Sequence, residues 1–280
     1  MFVLKNIFGL HIEEIGACTL ISQEALYKSI NRAKKDFQQA TKDADFDSAF
    51  EHITEKEIVL IEEILYAIFN IGFDSFSQKN KYIFNEALCL EAVALAKILL
   101  AKFKQLTTKN LLAHFCFHLA RIPAKIKDHK IISFFQQDKT QWNKDFMDLG
   151  FYYLQKPSTL NKYYVEALIA CKHMTAKKID ISHWNEIIKL YQLLLSVSYS
   201  PITKLNLCYC LSKAQRMGET KELWEHVENE LPNDHLYLCL VKATIFKNGK
   251  SLETEKTIEN VLERLHQKVR RDYILEHLTP

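Results

Sequence analysis

Glycine and proline are scarce in this chain: six Gly and five Pro in 280 residues. Both are costly inside helices and useful between them. Long breaker-free stretches, such as 86–110 and 160–195, therefore favour helix. A β-rich chain of this length needs many more turn residues. The fold class expected is all-α. Hydrophobic residues make up 48% of the sequence, which is enough for a sizeable core. The formal net charge is only +3, so any basic footprint for nucleic acid must be local.

The seven cysteines form no CxxC pair. Cys208 and Cys210 are two apart, so a helix would point them away from each other. They read as small buried hydrophobes in a reducing compartment. Residues 1–10 lack the basic-then-apolar order of a signal peptide. No apolar run reaches membrane-spanning length. The expectation is a cytoplasmic protein with no membrane partner.

Residues 1–40 hold two short helical patterns with a break between them. Residues 41–56 are polar and weakly periodic, which suits a linker. From 57 to 280 the helical period is sustained. Leu60, Ile61, Ile64, Leu65 and Ile68 make one stripe, with Glu62 and Glu63 off it. Leu88, Ala92, Leu95, Leu99 and Phe103 make a second, and Trp184, Ile188, Tyr191 and Leu195 a third. A weak repeat lays NLCYCLSKAQRMG (206–218) on YLCLVKATIFKNG (237–249) at an offset of 31 residues. It aligns Leu207 with Leu238, Cys208 with Cys239 and Gly218 with Gly249. Helical segments 219–229 and 252–265 follow the two copies. A helix, a Gly break and a second helix at this period outline a tetratricopeptide-like unit, which must stack on neighbours to bury its apolar face.

The segment with functional content is 11–37. Ile12, Ile15 and Leu20 are spaced for a short amphipathic helix and its exit, and Ser22 is a good N-cap for a second. The second helix would bury Leu26, Ile30 and Ala33. Its other side carries Gln23, Tyr27, Lys28, Asn31, Lys34 and Lys35, with Arg32 near the edge. An apolar side to hold it and a polar, basic side for phosphates and base edges are what a recognition helix needs. Four basic residues and two acidic ones between 22 and 36 leave +2. An ordinary helix pair with a solvated basic face has the same pattern.

The stretch Glu13-Glu14-Ile15, Leu20-Ile21-Ser22-Gln23, Leu26, Ile30 and Arg32-Ala33-Lys34 resembles the C-terminal DNA-binding region of bacterial extracytoplasmic-function (ECF) RNA polymerase sigma factors. Further along, LYAIFNIGF (65–73), EALCLEAVALAKIL (86–99), LLAHFCFHLARIPAK (111–125), QDKTQWNKD (137–145), HWNEIIKLYQLLL (183–195) and SPITKLNLCYCL (200–211) follow in the order of one subgroup. In that subgroup the sigma factor carries a tetratricopeptide-like C-terminal extension. The resemblance implies a sigma-type helix-turn-helix in 1–40 that meets the promoter minus-35 element. It implies a chain that begins inside the DNA-binding region, without the upstream sigma core. Promoter DNA and core RNA polymerase are the implied partners, and the helical tail would regulate activity or dock a protein. Carried over by position, Ser22, Gln23, Ala25, Tyr27, Lys28 and Arg32 match the DNA-contacting motif, and Lys34 and Lys35 its basic trailing end. The four cations would act mainly on phosphates; Gln23 and Tyr27 are the base-edge candidates. The subgroup commonly has a basic residue where Ser29 stands and Thr where Ala25 stands, so this polar face is the weaker one. The alternative, from a different class, is a helical-repeat interaction scaffold without DNA binding.

Other candidates carry less. His114 and His118 lie four apart, but the third ligand and the glutamate of HExxH are lacking, which favours a structural role. Arg121, Lys125 and Lys127 form a basic run that would pair with Asp138 or Asp145, or else line a solvated face. Trp142, Trp184 and Trp224 read as packing anchors. There is no phosphate-cradling Gly loop and no nucleophile motif. The expectation is a non-enzyme with no cofactor.

Overall fold

The computed structural model describes residues 1–40, 53–74, 83–232, 235–246, 252–265 and 267–277. Among the described residues the fold is all-α apart from one two-residue-per-strand ribbon. The chain divides into two compact units, Met1–Lys104 and Gln105–Pro280. The division falls at 104/105, not at the 56/57 boundary read from the sequence. Of the expected linker, 41–52 lies outside the described residues, and Thr54 already caps the next helix.

In the first unit, α1 (Phe2–Asn6), α2 (Ile12–Thr19) and α3 (Gln23–Ala40) pack together. Leu4, Leu10, Ile12, Ile15, Leu26 and Ile30 are buried there. Helix α1 is additional to the two patterns expected. α4 (Glu55–Phe73) and α5 (Glu86–Phe103) form a helical hairpin, and α1 and α2 rest on α4. Helix α4 starts on a capping box: the Glu57 N–H donates to the Thr54 hydroxyl and the Thr54 N–H to the Glu57 carboxylate, satisfying two end donors at once. Asn85 caps α5 by accepting from the Leu88 N–H. The hairpin closes tightly at Gly72, where a Cβ would stand 2.9 Å from the Cys89 sulfur.

Two expected stripes are shifted. On α4 the buried side runs through Ile58, Glu62, Leu65, Ile68 and Phe69; Glu62 is 1% exposed and Leu60 is 59% exposed. The helix is apolar nearly all round, so periodicity could not choose its inner face. On α5 the buried residues are Cys89, Ala92, Val93, Ala96 and Leu99, while Leu95 is exposed. Small side chains, Cys89, Ala92 and Ala96, make up the most buried part of that face.

The second unit is a run of helices: α6 (Leu106–Ala120), α7 (Lys144–Tyr153), α8 (Lys162–Thr175), α9 (Ile181–Val197), α10 (Pro201–Lys213), α11 (Met217–Glu230), α12 (Leu236–Ile245), α13 (Leu252–Arg264) and α14 (Lys268–His277). Most pack on their sequence neighbours, and α10 also touches α12, the next first-helix of the array. This is the stacking a helical repeat requires. Helix α10 works on two faces: Leu207, Cys210 and Leu211 join Trp184 and Ile188 of α9, whereas Leu205 and Cys208 join Trp224 of α11 and Leu238 of α12. The two cysteines thus face different clusters, as their spacing requires. All three tryptophans are buried. Of the cysteines, Cys18 is exposed and Cys171 half-buried; the other five are buried.

Breaks occur where no Gly or Pro marks them. Lys104 adopts φ 54° between α5 and α6, so 86–110 is not one helix. The 160–195 stretch breaks before Asp180, whose carboxylate caps α9. In the repeat, Gln215 turns the chain at φ 62°, and Gly218 sits inside α11; Gly249 lies outside the described residues. Residues 121–143 fold into short 3-10 turns and an antiparallel ribbon, β1 (Ile126–Lys127) and β2 (Lys130–Ile131). Its turn residues Asp128 and His129 both have positive φ, as a two-residue hairpin turn demands.

Candidate nucleic-acid interface

The arrangement of α2 and α3 follows from local chemistry. The Glu14 carboxylate accepts from the His11 N–H at 2.9 Å and fixes the start of α2. Leu20, at φ 57°, ends α2 in the left-handed region. Ser22 then starts α3, its hydroxyl accepting from the Ala25 N–H at 3.3 Å. The two helices meet closely at Gly16. A Cβ there would lie 3.2 Å from the Ile21 carbonyl oxygen and 3.6 Å from Leu26 Cδ1, so a larger side chain would push the turn away. Leu26 and Ile30 anchor α3 to the unit, and the far end is held where Phe37 meets Phe2, ring centroids 5.4 Å apart.

Every residue matched to the DNA-contacting motif, Ser22, Gln23, Ala25, Tyr27, Lys28, Arg32, Lys34 and Lys35, is exposed. All but Ser22, the cap, lie on one continuous helix of 18 residues. Ser22 has its hydroxyl committed to the cap. Lys28 is committed too: its ammonium lies 2.6 Å from the Glu24 carboxylate, one turn earlier. One of the four cations is thus locally compensated, and Arg32, Lys34 and Lys35 carry most of the unbalanced positive charge on this face.

The second unit contains polar clusters of a different kind. His114 and His118 do share a face of α6, with ring centroids 4.5 Å apart. His114 Nδ1 is 3.9 Å from a Glu166 carboxylate oxygen on α8. Burial, with the nearby Lys162 charge, pushes His114 down to about 3; burial and then His114 push His118 well below its ordinary value. Both rings are neutral at physiological pH. Among the described residues no group of three His, Cys, Asp or Glu is placed to hold a metal ion.

A histidine pair that sequence spacing did not signal joins α8 to α9. His173 Nδ1 and His183 Nε2 are 2.9 Å apart, amid Phe134, Phe135 and Trp184. Desolvation, then the His183 and Arg121 charges, push His173 down to about 3. The basic run has a structural use here. Arg121 stacks on Phe134 at 4.1 Å and donates to Gln137, and Lys125 is buried. Asp138 instead accepts from the Thr140 hydroxyl and N–H, which lower its carboxyl below its usual value, with Lys127 a smaller influence. Lys139 donates to the Met174 and Ala176 carbonyls at the end of α8, where a cation meets the negative end of the helix dipole. These groups knit the 121–143 segment onto the repeat.

Residues 58–158 match a family of unknown function, DUF6596. The match begins beyond α3 and takes in the α4–α5 hairpin, α6, the ribbon segment and α7. Over 98% of its length the chain is similar to an uncharacterized protein of Rhizobium meliloti (strain 1021), at 23% identity. The chain spans 66% of that relative's length, just under two thirds. No solved structure matches significantly. Among the described residues, no helix is long and apolar enough to cross a membrane.

Proposed function

We propose that the chain is the C-terminal portion of an ECF-type RNA polymerase sigma factor, binding promoter minus-35 DNA in transcription initiation through α3. The observation that carries this reading is the division of α3 into two sides. Leu26 and Ile30 are buried in the first unit, while the residues matched to the sigma motif stand exposed on the rest of the helix. A helix so held can enter a major groove without disturbing its own packing. The ordered resemblance along the chain supports the same assignment. The helical tail, 57–280, regulates that activity or docks a protein partner, and core polymerase is the second partner. No step of this function is catalytic or needs a cofactor.

The test is retention of the chain on promoter duplexes at low salt, with and without core polymerase. Binding that weakens steeply with salt supports the reading. Arg32→Ala should then weaken binding across sequences and reduce the salt slope by about one. Failure to bind DNA in either condition would favour a helical-repeat scaffold. The stacking of α8 to α11 each on its sequence neighbour, with α12 packed on α10, is the observation that speaks for that second reading.

A further inference from the structure

Glu24 stands exposed on α3 among the residues matched to the sigma motif. With ~100° per residue, Glu24, Lys28 and Lys35 lie within roughly 30° of the direction opposite the stripe formed by buried Leu26 and Ile30 and half-buried Ala33. Asn31 and Arg32 lie within roughly 60° of it, and Tyr27 and Gln23 roughly 90° or more away. The centre of the outward face is therefore Glu24, Lys28 and Lys35, with Asn31 and Arg32 beside them, and the motif-matched Gln23 and Tyr27 are on its flank. Glu24, Lys28 and Asn31 are all exposed.

An anion at the centre of a DNA-facing helix is repelled by phosphates. It is tolerated where its carboxylate finds a donor, and the major-groove donors are the exocyclic amines of the bases. The carboxylate does not stand alone: Lys28 Nζ holds it at 2.6 Å. The pair presents an acceptor beside a donor. A C·G base pair presents the complement, the cytosine N4 donor beside the guanine O6 and N7 acceptors. Glu24 also sits in the first turn of α3, where the helix dipole favours a carboxylate and where recognition helices reach base edges.

We propose that the Glu24–Lys28 pair reads a C·G base pair as a unit, with Glu24 accepting from cytosine N4 and Lys28 donating to guanine, and that Asn31 reads an adenine through N6 and N7. Glu24 and Asn31 are then specificity-determining residues, and Lys28 is a base reader rather than a phosphate counter-charge. This rests on the DNA-binding reading of α3.

The experiment selects bound duplexes from a random-sequence pool with the full chain, in the presence and absence of core polymerase, for the native protein, Glu24→Ala, Asn31→Ala and Lys34→Ala. The native chain should enrich one C·G position. Glu24→Ala should erase that preference by about tenfold while tightening non-specific retention, because an anion facing phosphates is gone. Asn31→Ala should erase a separate adenine preference. Lys34→Ala should weaken retention of all sequences alike. Circular dichroism checks that these exposed substitutions leave the helices intact. Native binding with a Glu24→Ala profile identical to the native one overturns the proposal and leaves DNA binding standing. Retention of no duplex in either condition overturns both.

Discussion

The hairpin of the first unit and the array of the second use helices in opposite ways. Helices α4 and α5 each bury one side and leave Val59, Leu60 and Ile98 in water. Helix α6 is buried without interruption from Asn110 to Phe117, because α7 and α8 both pack on it. Helix α10, between α9 and α11, exposes only Lys213. A one-sided helix tolerates polar replacement over much of its surface. A helix covered all round has no such face, and its polar groups are desolvated. On α6 that desolvation holds His114 and His118 below the ordinary imidazole value.

Truncating one fully buried aromatic ring in each unit should have the largest effect. Phe115→Ala on α6 and Phe69→Ala on α4 should each cost ~3–5 kcal/mol, read from urea unfolding. Phe115→Ala should be the worse, since its covering on several sides resists collapse of the cavity. Equal losses would mean that the two helices are packed alike.

Acid should separate the regions next. His114 and His173 are held down to about 3 from 6.5. Both rings bind protons more weakly folded than unfolded, so the unfolded chain takes them up first as pH falls. Stability is then fully present above about 6.5 and declines toward pH 3. His114→Gln and His173→Gln should flatten the decline, as followed by thermal melts from pH 7 to 4. A decline unchanged by both substitutions would place its origin in other groups.

Close helix crossings give the smallest contrast. Gly150→Ala would put a Cβ 2.6 Å from the Phe117 ring, which is fully buried and cannot swing aside. Gly72→Ala meets the Cys89 sulfur at 2.9 Å and the Asn85 carbonyl oxygen at 3.1 Å. Overpacking of this kind costs ~1–3 kcal/mol, and the Phe117 contact should place Gly150→Ala at the upper end. A melt in which Gly72→Ala is the more damaging would show that the hairpin is the stiffer crossing.

How legible each region was follows from the same contrast. The Trp184–Ile188 stripe could be read because α9 is amphipathic, and Ser22 could be read as a cap because its chemistry is local. The inner face of α4 could not, since EIVLIEEILYAIF offers apolar residues in every direction. Burial of Glu62 is decided by what packs against α4. In the candidate interface, exposure of the motif residues was expected from the pattern. The pairing of Lys28 with Glu24 is allowed by an i, i+4 spacing, but the sequence does not say which of several neighbours a lysine will take. The His173–His183 contact joins two helices across a break and leaves no periodic trace.

By itself the sequence determined the helical class, the cap at Ser22, the 31-residue offset of the tail and the two-sided character of α3. These depend on residue type and on spacing within a few turns. Only the tertiary structure decided that the compact units part at Lys104, that Gln215 rather than a glycine turns the repeat, and that a short ribbon interrupts the helices. Each depends on which surfaces meet, and that is set by packing between segments far apart in the chain.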